Sequence, residues 1–190
     1  DHVFHERVRL VDSEFLEMFT FPLKWGTASS LSDLNSIILS ENMSIKYFGE
    51  ENPLGRDIVM IFSDQSKKAF TVSGVAAPFP KSHAFDFNFL INYNNTREAH
   101  ADYDPNDWSE FLNATFIQVE NASAMKSIEA GMEKYKTLQN EVQPNSAISS
   151  FAFEPLSTLF ENSSSIKNCI SQDTNVEGRM LLDLDGTAGL

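Results

Sequence analysis

Only one stretch of this chain repeats its apolar residues at helical spacing over more than two turns. Met125, Ile128, Met132, Tyr135 and Leu138 recur three and four apart, which puts them on one face of a helix from about Ala122 to Val142. Asn121 or Ser123 stands where an N-cap side chain accepts the first free amides. Elsewhere the apolar residues alternate or form short runs, the period and length of strands. Val3–Val11, Ser36–Ser40, Asp57–Phe62, Phe70–Ala76, Ala114–Val119 and Ser149–Glu154 read this way. Strands and helices follow no regular alternation, so the class is α+β, with mixed or antiparallel sheets and one long amphipathic helix. Residues 1–190 read as one domain, divisible into two small subdomains at a linker near 140–148.

Smaller elements follow from turn chemistry. Ser13 can cap a short helix carrying Phe15, Leu16 and Phe19, and Pro22 ends that segment because proline is excluded from a helix interior. Ser40 caps a second helix over Glu41–Phe48, with Glu41 in its first turn and Gly49 at its stop. Asn52-Pro53-Leu54-Gly55 is a tight turn, proline fixing φ and glycine free to take φ > 0. The strands flanking the polar tip at 64–68 form a hairpin. Gly74, inside the second of them, marks a bulge or a close backbone approach. Phe85, Phe87 and Phe89 alternate with Asp86 and Asn88, which predicts three rings on one face of an extended segment. Asn92–Asp107 is polar and reads as a surface loop, and Trp108–Leu112 as a helical turn.

Charge and composition exclude several functions. With 27 acidic and 14 basic residues the chain carries a net charge of −13. Nucleic acid is no partner, since phosphate neutralisation needs a basic face, and an anionic membrane surface is disfavoured for the same reason. A hydrophobic fraction of 42%, including 16 Phe, supplies a core and excludes global disorder. The single cysteine, Cys169, rules out an internal disulfide and a Cys-based zinc site. No run approaches the roughly 18 apolar residues of a membrane helix.

Catalytic constellations fail one by one. Asp183-Leu184-Asp185-Gly186-Thr187 spells the nucleophile loop of a haloacid-dehalogenase-type phosphatase. That chemistry also needs a lysine and further acids downstream, where only Ala188, Gly189 and Leu190 follow. The stretch Asp102–Asp107 imitates a calcium loop, but Asp107 stands where glycine is needed and Asn113 where the bidentate glutamate belongs. His2, His5, His83 and His100 lack paired metal spacing, and no Gly-rich phosphate loop occurs. The residues name no catalytic, cofactor-binding or metal-ligating site.

An ordered series of blocks does carry a resemblance. It begins with Val11-Asp12-Ser13-Glu14-Phe15-Leu16-Glu17-Met18-Phe19-Thr20-Phe21-Pro22-Leu23, followed by Trp25-Gly26. Next come Ser36–Asn42, then Lys46-Tyr47-Phe48-Gly49-Glu50-Glu51-Asn52-Pro53-Leu54-Gly55. Phe70-Thr71-Val72-Ser73-Gly74-Val75, Phe79-Pro80-Lys81-Ser82-His83, Phe85-Asp86-Phe87 and Glu154-Pro155-Leu156-Ser157 complete it. Over residues 3–160 this order resembles the MacB-like periplasmic core domain of FtsX-like ABC-transporter permeases, especially their Bacteroidetes-type set. Thr27 departs from the acid that the family carries after its glycine. The motif residues carried over are Phe15, Phe19, Pro22, Leu23, Gly26, Phe48, Gly49, Asn52, Pro53, Gly55, Val72, Gly74, Val75, Pro80, His83 and Phe85, all as fold-specifying positions.

The resemblance implies a non-catalytic body on the periplasmic face of the bacterial inner membrane, between the first two membrane helices of a permease. It implies no cofactor. Its partners would be the rest of the permease, a cytoplasmic ATPase, a second permease copy and an outer-membrane or periplasmic protein. Residues 178–190 would approach the second membrane helix, and the first part of the family's domain would lie outside this fragment. Two other classes stay open on the residues alone. A lipid- or peptide-binding module predicts a deep apolar pocket behind the Phe-rich segment. A metal-dependent hydrolase predicts a carboxylate and histidine cluster with strongly shifted pKa values.

Overall fold

Ile37, Ile38 and Leu39 are all fully buried, and the strand that carries them organises the first of two units. A computed structural model describes residues 2–62, 65–78, 87–99, 103–108, 114–162 and 180–186. The chain divides into Asp1–Tyr103 with Arg179–Leu190, and Asp104–Gly178. In chain order the first unit holds β1 (His2–Val11), α1 (Phe15–Phe19), β2 (Leu23–Trp25), β3 (Ser36–Ser40), α2 (Glu41–Phe48), β4 (Asp57–Ile61), β5 (Lys67–Ala76), β6 (Phe89–Asn92) and α3 (Thr96–Ala99). The second unit holds α4 (Ala122–Val142) and α5 (Leu159–Asn162), after which β7 (Met180–Gly186) returns to the first.

The sheet runs β2-β5-β3-β6-β1-β7-β4, and β4 pairs again with β5. All strands except β2 therefore close into a circuit. Pairings β1–β6 and β3–β5 are parallel and the others antiparallel. The molecule is thus an α+β fold with a mixed sheet and one long helix. β3 lies between β5 and β6, and a separate apolar cluster covers each of its faces. Ile37 and Leu39 pack with Met60, Phe70, Phe89 and Ile91, against Met43, Tyr47 and Phe48 of α2. Ile38 points to the other face, among Leu16, Leu31, Phe87 and Leu90, with Phe15 and Phe21 packed alongside. Each such aliphatic side chain contributes roughly 1.5–3 kcal/mol of burial free energy.

The strand and helix limits at Ser36–Phe48 agree with the sequence, because each end carries a local signal. Ser40 is extended, and its hydroxyl accepts from the Met43 amide at 3.4 Å. Gly49 takes φ +68 at the far end. Other expectations are corrected. Glu14, not Ser13, occupies the N-cap position of α1, and no side-chain cap bond forms there. Phe87 and Phe89 do not share a face, since they enter the two different core clusters. The strand begins only at Phe89, so the alternation does not extend back through Phe87; Phe85 lies outside the described residues.

Asn92–Asp107 is not simply a surface loop. Asn92 ends β6 and Asn95 is 1% exposed. Asn92 Nδ2 donates to the Leu31 carbonyl (2.8 Å), and Asn95 Nδ2 donates to the carbonyls of Leu34 (3.0 Å) and Asn92 (2.9 Å). Buried amides donating to backbone carbonyls tie this segment to the loop before β3.

In the second unit, Asn121 caps α4 by accepting from the amides of Ser123 and Ala124, both at 3.0 Å. Its partly buried stripe holds Met125, Ile128, Met132 and Tyr135 but ends on Gln139, which is 6% exposed, rather than on Leu138, which is 37% exposed. At about 100° per residue, Gln139 falls within the arc of the other four, and Leu138 lies well outside it. Trp108 stacks on Tyr135 with ring centroids 5.6 Å apart; residues 109–113 of the expected helical turn lie outside the described set. Asn140 bonds both ways to the Ile148 backbone, and a 3-10 turn at Pro144–Ser146 lies between them. Residues 114–119 and 149–154 carry no strand. Neither segment has a ladder partner, and extended propensity without one does not make a sheet.

Candidate functional site

The motif positions gather around β5. Val72 and Val75 are buried in the core beside Phe48. Between them the pairing with β3 shifts by one residue, Ile37 opposing Val72 and Ile38 opposing Gly74. A Cβ on Gly74 would lie 3.3 Å from Ile38 Cγ1, so the strand closes tightly there. The turn at Asn52–Gly55 is fastened to the same strand. Asn52 Oδ1 accepts from Leu54 N (3.1 Å), Gly55 N donates to the Val72 carbonyl (2.9 Å), and Pro53 is buried. Leu23 pairs with Ala76, and the Pro22 carbonyl accepts from Ala77 N at 2.8 Å. Phe15, Phe19 and Phe21 form a ring cluster with centroids 5.1 to 6.3 Å apart, and Phe87 meets Phe21 edge-on at 6.0 Å. Pro80, His83 and Phe85 lie outside the described residues.

A polar knot that the sequence reading missed lies beneath α2. Glu6, 6% exposed, shares the inward face of β1 with Val8. One carboxylate oxygen accepts from Lys46 Nζ and the other from Asn88 Nδ2 at 2.8 Å. The Asn88 carbonyl in turn accepts from Ser40 N at 2.9 Å, which joins the knot to the start of α2. The signal was an acid placed in register with apolar inward residues. Such a position calls for a cation, here supplied one helix later.

Two phenols hold their protons more tightly than usual. Burial, and then the Glu6 charge, raise Tyr47 above the ordinary phenol range. Tyr93 is pushed up to about 12 by burial, by its 3.2 Å hydrogen bond with Tyr103 and by the Tyr103 and Asp12 charges. The unfolded chain ionises its tyrosines near pH 10. Stability from both groups is therefore complete below about pH 10 and falls as pH rises, with the Tyr93 share gone only above about 12. Urea midpoints measured from pH 8 to 12 should decline from about pH 10, and less steeply in Tyr47→Phe and Tyr93→Phe. An unchanged slope in both variants contradicts this.

At the turn end of the β4–β5 hairpin lies a cleft of about 630 Å³, lined by Asn35, Phe62, Ser66, Lys67, Lys68, Arg97 and Glu98. Phe62 is 3% exposed. Lys68 is fixed by Asn95 Oδ1 (2.7 Å) and Glu98 Oε2 (2.6 Å), and its side chain is only 17% exposed. The lining is cationic on balance, a local reversal of the chain's charge.

The catalytic look-alikes do not assemble. Met180–Gly186, which holds the phosphatase-like Asp183-Leu184-Asp185 spelling, is a strand hydrogen-bonded on both sides, not a loop. Asp104 Oδ1 is turned onto its own loop, accepting from Asn106 N at 2.9 Å. Among the described residues no group of three or more His, Cys, Asp or Glu is placed to hold a metal ion, and no helix is long and apolar enough to cross a membrane.

Comparison with known proteins follows the same lines. Among solved structures the chain is similar to a domain assigned to a permease protein from Porphyromonas gingivalis (TM-score 0.50, 16% identity, 84% of this chain and 73% of that one). It is also similar to the periplasmic region of MacB from Actinobacillus actinomycetemcomitans (0.49, 16%, 87% and 74%). A third is the extracellular domain of the noncanonic ABC-type transporter YknZ from Gram-positive bacteria (0.43, 16%, 78% and 75%). At such identities the likeness speaks to fold alone, and only the first carries weight. No curated protein matches the chain. Residues 3–135 match the MacB-like periplasmic core domain. That match spans most of the first unit and reaches into α4, so the chain belongs to the family of MacB-like periplasmic core domains, the non-catalytic extracytoplasmic domains of MacB-like ABC-transporter permeases.

Proposed function

We propose that this domain transmits ATP-driven movement of the permease's membrane helices to the far side of the membrane. In that reading it sits on the periplasmic face of the bacterial inner membrane, as two subdomains of one core domain. Its partners are a cytoplasmic ATPase, a second permease copy and a periplasmic or outer-membrane protein. The family match over residues 3–135 is the observation that carries the reading. Packing supports it, because a transmitting body must be stiff. β3 is buried on both faces, and the Asn52–Gly55 turn is hydrogen-bonded to β5. The motif residues from Phe15 to Val75 act in this reading by specifying that body. Phe87 and Phe89 are buried in filled clusters rather than lining a lipophilic pocket, which favours transmission over ligand storage.

The experiment is a spin-label distance measurement on the full permease with its ATPase. Cys169 is replaced by serine and a label is placed at Glu50→Cys, an exposed position just beyond α2. The distance between the labels of two copies should shift between the nucleotide-free and the ATP-bound, hydrolysis-blocked states. An unchanged distribution sinks the proposal.

A further inference from the structure

We infer that the cleft at the end of the β4–β5 hairpin recognises a carboxylate-bearing segment of a partner protein. The inference deepens the partner-contact part of the reading above and rests on it. Of the seven described lining residues, Lys67, Lys68 and Arg97 are cationic, and Glu98 is the one carboxylate among them. This concentration occurs in a chain of net charge −13 with only 14 basic residues.

The lining is also held in place. Lys68 is anchored by two hydrogen bonds, and the buried Asn95 amide that receives one of them is itself bonded to the Leu34 and Asn92 carbonyls. The cationic floor is therefore set before a guest arrives, which lowers the ordering cost of binding. Arg97 offers paired N–H donors that match a carboxylate, while the amide of Asn35 suits the backbone of a peptide. An anionic bilayer is the poorer fit, since the whole acidic chain would have to approach a surface of its own charge sign.

The test uses hexaglutamate as probe, titrated into the ¹⁵N-labelled chain at low and at high salt. Saturable amide shifts are expected at Ser66, Lys67, Lys68 and Arg97, weakening as salt rises. In the Lys67→Glu/Arg97→Glu double variant the affinity should fall at least about tenfold. The charge-conserving Lys67→Arg/Arg97→Lys chain should keep most of it, and Lys134→Glu on α4 should leave it unchanged. Parallel titrations use phosphatidylglycerol and phosphatidylcholine vesicles. Shifts spread without saturation over all basic residues, equal binding by the charge-reversed variant, or saturable binding to phosphatidylglycerol alone would each overturn the inference. The spin-label result does not depend on this titration, so failure of the cleft is distinguishable from failure of the transmission role.

Discussion

Replacing Gly26 by alanine should destabilise the protein by about 2–5 kcal/mol, more than any other glycine change among the described residues. Gly26 takes φ +95, and a Cβ built on it lies 2.5 Å from the Ser73 carbonyl oxygen and 2.8 Å from the Gly74 Cα. Both neighbours are backbone, so no side chain can swing away. The left-handed conformation alone costs a non-glycine residue about 1–2 kcal/mol, and overpacking adds about 1–3. Relief requires β2 to move off β5 at the shifted pairing of Leu23 and Trp25. Gly49 and Gly55 supply the control. They also have positive φ, +68 and +81, but open space around the built Cβ, so Gly49→Ala and Gly55→Ala should each cost only about 1–2 kcal/mol. Urea denaturation of the three variants measures the contrast directly. Equal losses at all three positions would show that backbone conformation, not the close approach of β2 to β5, is what matters.

Lys46→Met should cost about 2–3 kcal/mol, and Glu6→Leu clearly less. The asymmetry comes from burial. Glu6 has 7% of its side chain exposed, while Lys46 keeps 39%. Removing the lysine leaves a carboxylate beneath α2 with only the Asn88 amide to answer it. Removing the glutamate leaves the Lys46 ammonium, with 39% of its side chain exposed, within reach of water. Loss of one partner from a fully buried pair costs about 3–5 kcal/mol; the exposure of Lys46 reduces this. The Glu6→Leu/Lys46→Met double variant should return close to the parent, because apolar replacement of both partners is often nearly neutral. A double variant less stable than Lys46→Met alone would show that the pair contributes more than charge compensation. Both effects are read from urea midpoints at neutral pH, with the lysine variant repeated in high salt.

These two cases show where sequence reasoning reached and where it stopped. Gly26 was marked by the Trp25-Gly26 motif, but the reason for it lies in Ser73, which is remote in sequence and adjacent only because β2 pairs with β5. Glu6 looked like one more acid in an acidic chain until β1, α2 and the segment before β6 closed around it. The Lys67–Lys68–Arg97 cleft has the same origin, since two of its cations begin β5 and the third lies on α3, after β6. A local signal marks some of these positions, but none names its partners, because tertiary contacts assemble each site.

What the sequence determined by itself was everything whose free energy is local. The limits of α2 and α4 and the stop at Gly49 follow from caps, glycine conformation and a 3.6-residue period, all readable within a few residues. The ordered motifs likewise carry the family resemblance without reference to tertiary structure. Tertiary structure alone decided which extended segments became strands. β3 has ladder partners on both sides, whereas 114–119 and 149–154 have none despite similar alternation. It also assigned Phe87 and Phe89 to different core clusters, and it buried Asn92 and Asn95 against carbonyls 61 residues away. A strand's hydrogen bonds, and the partners of a buried polar side chain, come from elsewhere in the chain, so they exist only once the sheet has formed.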